Sequence, residues 1–444
     1  MRFLNLLLGN SDKKYNTTNW VPFDPWFIVI PAILMTIGLI AIYSASIYVS
    51  FDKFGTSTYY VNKQILFMGM GIVMYCVCIN ISTKLWYSLG QWKMMTLVAV
   101  MCLLVIFVGK EINGAKRWLS LGFFNVQPSE FLKISLILYV AGYIHRHNED
   151  IKNPLRSFLV VIPTFVFLVI LFFQKDLGTC VVLACILITM LVFAGIMWRT
   201  FLVYAIVGIA GAVAMIVKDP YRIQRLLSFT DPFKDITKSG YQLAASQMSL
   251  ARGGMWGLGL GNSELKLSYI PEPHTDFIMS IIGEEMGFVF VSFVFILELL
   301  LIFRTVKLGL EAISSTNDRN YFHGYCAIGI GSWFAVQSII NMGVVSGLFP
   351  TKGLTMPFIS YGGSSLISSI LAVCILLRIS YERRANYLNR IRNSQLRYKQ
   401  NSKRSRYNKN VAVSGENTDA NVAANGLCVV LTYIVRRCMD VIVI

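Results

Sequence analysis

Charge is scarce in this chain. Of its 444 residues only 14% are Asp, Glu, Lys or Arg, against about a quarter in a soluble domain. That excludes an ordinary water-soluble enzyme. No cysteine sits in a segment expected on the outer face. Cys76, Cys78, Cys102, Cys180, Cys185, Cys326 and Cys374 fall in apolar runs, and Cys428 and Cys438 in the tail. A disulfide framework is therefore excluded, and Cys76-x-Cys78 has neither the spacing nor the His partners of a zinc site. No cleavable signal is expected, because the first apolar run follows the polar and mixed residues 1–25 and is of full spanning length. The glycines at 253, 254, 257, 259 and 261 lack a following Gly-Lys-Ser/Thr and a preceding strand, so they do not read as a phosphate loop. They read as permissive backbone that lets a loop fold close to the membrane or a ligand.

What the sequence does have is apolar length. Hydrophobic residues make up 55% of it, and runs of about 18 residues or more recur, each able to cross a hydrocarbon core of about 30 Å. Backbone polar groups in lipid must be satisfied internally, which makes each run a helix. The expected fold is an all-α polytopic membrane protein with ten spans, at about 26–48, 62–82, 92–110, 130–145, 156–174, 178–197, 200–217, 277–303, 322–345 and 356–379. The runs from 130 and 156 are short or interrupted. The formal charge of +17 is concentrated: residues 381–410 hold ten Lys/Arg and one Glu, a local +9 that leaves +8 elsewhere. A basic run after the last span follows the positive-inside rule and suits anionic cytoplasmic lipid; no nucleic-acid partner is expected. The chain then divides into a cytoplasmic segment 1–25, spans one to seven over 26–217, a periplasmic loop 218–276, spans eight to ten over 277–380 and a basic cytoplasmic tail 381–444. Lys13 and Lys14 agree with a cytoplasmic N-terminus.

The loop 218–276 opens on "KDPYRIQRLLSFTDPF", with Arg222 and Arg225. In "YQLAASQMSLAR", Tyr241, Ala244 and Met248, flanked by Leu243 and Leu250, suit a helix lying along the membrane surface. The loop ends on "PEPHTDFIMSIIGEEMGF", where Asp276 stands at the mouth of span eight. A helix start needs only a cap, and a neutral residue serves. An ionised carboxylate there asks for a further use. Two other outer segments are polar. "NGAKRWLSLG" and "VQPSEFLK" carry Lys116, Arg117, Trp118, Glu130 and Lys133, and "LFPTKGLTMPFISYGGSSL" carries Lys352, Ser360, Ser364 and Ser365. Taken singly, Glu130 and Lys133 are an i,i+3 helix pair, Trp118 an interfacial anchor, and "SYGGSS" close packing of small residues. Taken together, they bring cations and small polar groups to one membrane level, which suits a phosphate or pyrophosphate ligand.

In this order, "NGAKRW", "QPSEFLK", "PEPHTDFIMSIIGEEMGF" and "PTKGLTMPFISYGGSSL" resemble the SEDS family of bacterial shape, elongation, division and sporulation proteins over about residues 20–385. The last segment is closer to the cell-division branch than to the elongation branch. The resemblance implies a ten-span glycosyltransferase of the inner membrane, at the division septum, that polymerises lipid II into peptidoglycan strands. It maps the essential acid onto Asp276. It also implies a class B penicillin-binding transpeptidase and other division-complex membrane proteins as partners, and a divalent cation, Mg2+ or Mn2+, as support. The candidate substrate-binding residues are Arg117, Trp118, Glu130, Lys133, Arg222, Arg225, His274, Lys352 and Ser364. The chain departs from the pattern where Gln-Pro-Asp-Leu-Gly-Thr is usual and Gln174-Lys175-Asp176-Leu177-Gly178-Thr179 stands, and again at Asn125, where some relatives are basic. The end of the tail, "LCVVLTYIVRRCMDVIVI", lies outside the pattern and is too short, and broken by Arg436 and Arg437, to span.

Joining two lipid-linked sugars requires an acceptor hydroxyl to attack the donor's anomeric carbon and expel a lipid pyrophosphate. Asp276, ionised at neutral pH, can take the hydroxyl proton as general base, while cations stabilise the leaving group. A single displacement implies inversion. His274 either orients Asp276 or a substrate hydroxyl, or only shapes its loop. Two rivals stand: a lipid II flippase, favoured by Glu284, Glu285 and Glu298 inside span eight, and a non-catalytic division scaffold, which leaves Asp276 without a use.

Overall fold

The computed structural model describes residues 23–415 except 91, 113–114, 121, 123, 218–228, 230, 235–239, 268–271, 316–318 and 352. Arg222, Arg225 and Lys352 lie outside the described residues, as does the tail after Gly415. The chain forms two compact units, Met1–Ala385 and Asn386–Ile444.

The helices are α1 (Trp26–Phe54), α2 (Tyr59–Cys78), α3 (Thr83–Gly90), α4 (Lys93–Val108), α5 (Pro128–Arg146), α6 (Pro154–Phe173), α7 (Leu177–Phe193), α8 (Trp198–Val217), α9 (Tyr241–Gly253), α10 (Ile278–Ser314), α11 (Tyr321–Ser346) and α12 (Gly363–Gly415). Each expected apolar run overlaps one of these helices. The runs from 130 and 156 prove to be uninterrupted helices, α5 and α6, and the last helix begins at Gly363 rather than 356. By length and composition α1, α2, α6, α10, α11 and α12 can each cross a membrane; α3 and α4, bent by 52°, together make a seventh, and α7 and α8 are shorter apolar helices. A ten-span chain counts α5, α7 and α8 as crossing too. α5 carries Glu130, Lys133 and Arg146, yet its residues from Pro128 to Ile144 are almost all buried, against α4, α7 and α11. Its surroundings are protein, so its polar groups answer to neighbouring side chains.

The segment after α4 is partly a small antiparallel sheet, β1 (Lys110–Ile112), β2 (Ala115–Ser120) and β3 (Asn125–Val126). Lys110 lies opposite Trp118, Glu111 opposite Lys116 and Leu119 opposite Val126. Asn113-Gly114, a two-residue hairpin signal, is the sequence mark of it, though those two lie outside the described residues. α9 also differs from expectation. It packs on α10 and α11 and buries Leu243, Ala244, Ser246 and Ser249 there, leaving Met248 exposed.

α10 is broken at Gly287, whose φ of 79° and ψ of 176° are not helical. In an unbroken helix the carbonyls of Glu284 and Glu285 would pair with the amides of Phe288 and Val289. Here they accept from Leu258 (3.0 Å) and Gly259 (2.9 Å), while Phe288 and Val289 donate to Gly254 (2.9 Å) and Met255 (3.3 Å). The glycine-rich loop is spliced into the gap, and all four groups are satisfied. The close approach expected of these glycines is thus to α10 itself. Side chains reinforce the join. Glu284 accepts from Ser249 (2.8 Å) and Ser263 (2.6 Å), and Glu285 from Ser44 (2.6 Å) and Lys266 (2.7 Å).

A Cβ at Gly287 would overlap the carbonyl of Met255, whereas one at Gly261, also at positive φ, would meet nothing. Gly287→Ala should therefore destabilise the purified protein by about 2–5 kcal/mol, combining backbone strain with overlap, and Gly261→Ala by about 1–2 kcal/mol from strain alone. Thermal unfolding in detergent would show the difference; equal melting of the two variants would remove the splice from the account of stability.

Candidate functional site

Two loops meet at the N-terminal end of α10, the turn carrying His274 and Asp276 and the connection between α11 and α12. Both are strung on α11. The side-chain amide of Asn341 donates to the main-chain carbonyls of Asp276 (2.9 Å) and Leu354 (2.7 Å). One turn earlier, the amide of Gln337 donates to the carbonyl of Thr355 (2.7 Å). A spacing of four puts both amides on one face of the helix. The main-chain N–H of Tyr361 closes the arrangement by donating to the carbonyl of His274 (2.9 Å). The half-buried Asp276 carboxylate lies beside Gly353, where a Cβ would stand 3.1 Å from Oδ2. A side chain at 353 would crowd the acid.

Gln337 links this pair of loops to α5. Its Oε1 accepts from the ammonium of Lys133 (3.1 Å) and from Trp333 Nε1 (2.6 Å). Lys133 is 1% exposed, pairs with Glu130 at 2.8 Å and lies 4.6 Å from the centre of the Trp333 ring. Glu130 accepts in addition from Ser368 (3.3 Å). The i,i+3 pair read from the sequence is present, but inside the protein. Ser364 Oγ accepts from the main-chain N–H of Gln127 (3.0 Å), which ties the start of α12 to that of α5.

Arg117 and Trp118 sit half-buried on β2. The Arg117 guanidinium lies 4.0 Å from Asp176 and donates to the carbonyls of Gln174 (3.4 Å) and Lys175. Asp176 caps α7, accepting from Thr179 Oγ1 (2.9 Å), and accepts also from Ser129 (3.2 Å). Lys175 has φ 58° and its N–H donates to Phe172 at 3.0 Å. A proline, as in the resembled pattern, is locked near −65° and has no N–H. The turn therefore follows a path that proline could not take.

His274 points away from this network. Its ring packs 4.1 Å from that of Tyr60 and 5.3 Å from that of Tyr361, centre to centre. Burial, with repulsion from Lys53 second, pushes its pKa down to about 3, so it is a neutral ring at physiological pH. Among the acids that favoured the flippase, Glu284 and Glu285 are held by loop partners, while Glu298 is fully buried, with Oε2 3.5 Å from Ser338 Oγ.

Gln337, Asn341, Asp176 and Lys266 were not among the sequence candidates. The signal for the first two was two amides four apart in an otherwise apolar span, a costly placement unless used; for Asp176 it was the helix cap Asp-x-x-Thr. Among the described residues no three His, Cys, Asp or Glu side chains converge as metal ligands.

The model of the FtsW/RodA/SpoVE family of cell cycle proteins matches residues 25–385. The chain is 40% identical over 368 residues to a "Probable peptidoglycan glycosyltransferase FtsW" of Tolumonas auensis, covering 82% of this chain and 93% of the relative. It is 38% identical over 374 residues to the protein of the same name from Hydrogenovibrio crunogenus, covering 84% and 95%. Its fold is similar to a chain solved in work on "Structural coordination of polymerization and crosslinking by a peptidoglycan synthase complex", with a TM-score of 0.67, 27% identity, and 82% of this chain and 99% of that one covered.

Two outcomes follow from the site. Lys175→Pro should lower stability by about 3 kcal/mol or more, while Lys175→Gly melts near the parent. Full stability of the proline variant would contradict the left-handed turn. The second concerns pH. The folded His274 pKa lies below the unfolded value of about 6.5, so its contribution is whole above that value and is lost as pH falls towards 3. Between pH 7 and pH 5 the parent should lose about 2 kcal/mol more than His274→Phe. Parallel pH profiles of melting temperature would rule out the buried neutral ring.

Proposed function

Because the chain belongs to the FtsW/RodA/SpoVE family of cell cycle proteins, we propose that it is a membrane-embedded peptidoglycan glycosyltransferase that polymerises lipid II for septal wall synthesis. The observation that carries this reading is the Asp276 carboxylate beside Gly353, on a turn just before α10 whose main-chain carbonyl at Asp276 accepts from Asn341. The substrate's reactive end sits at the membrane surface because its lipid tail lies in the bilayer, and an acid just ahead of an apolar helix of spanning length suits that position.

Asp276 takes the proton from the acceptor hydroxyl as that oxygen bonds to the donor's anomeric carbon, and the sugar–phosphate bond breaks with inversion. The departing pyrophosphate gathers negative charge and needs fixed cations rather than an acid. Arg117, Arg222, Arg225 and Lys352 serve here. Lys133, buried against Glu130 and Gln337, acts as a positioning residue that sets Thr355 and the loop after Lys352. Trp118 lies on the same strand as Arg117, Glu130 and Ser364 are buried behind the site as partners of Lys133 and Gln127, and His274 fixes the turn before Asp276. A divalent cation bound to the pyrophosphate oxygens would add to the charge that stabilises the leaving group.

The structurally similar chain comes from work on a complex that couples polymerisation and crosslinking. A class B transpeptidase and other division-complex membrane proteins fit as partners, with the inner membrane at the septum as the location and the outer face as the side of the reaction. Glu284 and Glu285 are engaged by Ser44, Ser249, Ser263 and Lys266, which argues against an open polar path through span eight.

Purified protein with its transpeptidase should convert labelled lipid II into glycan strands, and Asp276→Asn, nearly isosteric, should reduce the rate by about 10²–10⁴-fold while still folding and binding the partner. Strand synthesis by the variant at the parental rate would end the general-base assignment. Movement of labelled lipid across vesicles without any polymer would favour the flippase.

A further inference from the structure

The second unit of the chain carries a pattern that polymerisation does not use. From Asn386 its described residues are helical to Gly415, with side chains described as far as Ser402. Residues 383–410 contain ten Lys/Arg and no Asp or Glu. At about 100° per residue, Tyr387, Ile391, Ser394 and Tyr398 fall on a single stripe. Tyr387 and Tyr398 are each 65% exposed and Ile391 37%. Arg390 and Arg397, seven apart, run along one edge of the stripe; Arg392 and Lys399, also seven apart, run along the other.

A helix that only repels its like in water needs no aromatic stripe. A stripe meant for a protein core would not be bordered on both sides by cations. An apolar stripe between two basic rows is the form of a helix lying at a lipid interface. Its rings enter the acyl boundary while long cationic side chains reach back to the headgroup phosphates. Nucleic acid would engage the charges and leave the tyrosines in water.

We propose that residues 386–402 are an amphipathic helix that docks on the anionic phospholipid headgroups of the membrane holding the chain. The docking is independent of the assignment of Asp276. Each Lys or Arg near such a surface adds about fivefold to binding, so removing three should lower the ratio of docked to undocked helix roughly a hundredfold.

The test uses the full-length protein in nanodiscs of phosphatidylcholine, alone or mixed with phosphatidylglycerol. A Cys76→Ser, Cys428→Ser, Cys438→Ser background leaves only buried or half-buried thiols among the described residues. An environment-sensitive fluorophore is attached at Ser394→Cys, on the stripe, or at Asn389→Cys, on the opposite face. In anionic discs the label at 394 should shift to the blue and be quenched by nitroxide lipid, while that at 389 stays in water. High salt, or Arg392→Gln with Arg397→Gln and Lys399→Gln, should abolish the shift. A label at 394 as wet as that at 389 in anionic discs would overturn the proposal. So would an equal shift in pure phosphatidylcholine, or a shift caused by added DNA and not by lipid.

Discussion

A main-chain carbonyl or amide cannot be left unpaired in hydrocarbon without a penalty of several kcal/mol, and α10 opens at Gly287 in the middle of its apolar run. That constraint organises much of the molecule. The glycine loop enters the gap and supplies the partners that the broken helix lacks. Once it has entered, Glu284 and Glu285 find their partners on the same loop and on α1. A buried ion pair of this kind is costly to break from one side, by about 3–5 kcal/mol. The polar side chains therefore hold in place what the backbone bonds require, and the start of α10, with Asp276 just ahead of it, inherits a fixed position.

The second organising group is the polar seam of α11. Lys133, Glu130, Trp333, Gln337, Thr355 and Ser365 form a chain of contacts within an otherwise apolar bundle. Such a seam is favourable only when its members are matched to one another. Lys133 shows the difference between a charge that binds and a charge that builds: its ammonium is enclosed, and its influence leaves through Gln337.

How much of this was legible beforehand depends on the range of the signal. Helix positions were, because the length of an apolar run is a local property, and the motif order marked the family. Where the last helix begins was not. "PFISYGG" is apolar and small enough to extend a span, yet Phe358 adopts φ 61° and Ser360 Oγ accepts from the Met356 N–H, holding the segment as a loop. The Glu130–Lys133 pair was visible, but its burial was not, since the residues that enclose it are some two hundred positions away. The break at Gly287 left no mark either: a lone glycine in an apolar helix is tolerated, and only the loop upstream reveals what this one is for. The polar sheet after α4 has only the two residues Asn113-Gly114 as its local mark, among charges that suit a membrane surface equally well.

The two bonds from Asn341 have a mechanical meaning. One planar amide grips two carbonyls, one in the turn of the acid and one in the connection that follows Lys352. The amide is rigid and its two hydrogens diverge at a fixed angle, so the turn and the connection are geared together. With the Tyr361 N–H bonded to the His274 carbonyl, the connection is fastened to the main chain of the acid's turn at two points two residues apart, so a displacement of the connection reaches the backbone that carries the carboxylate.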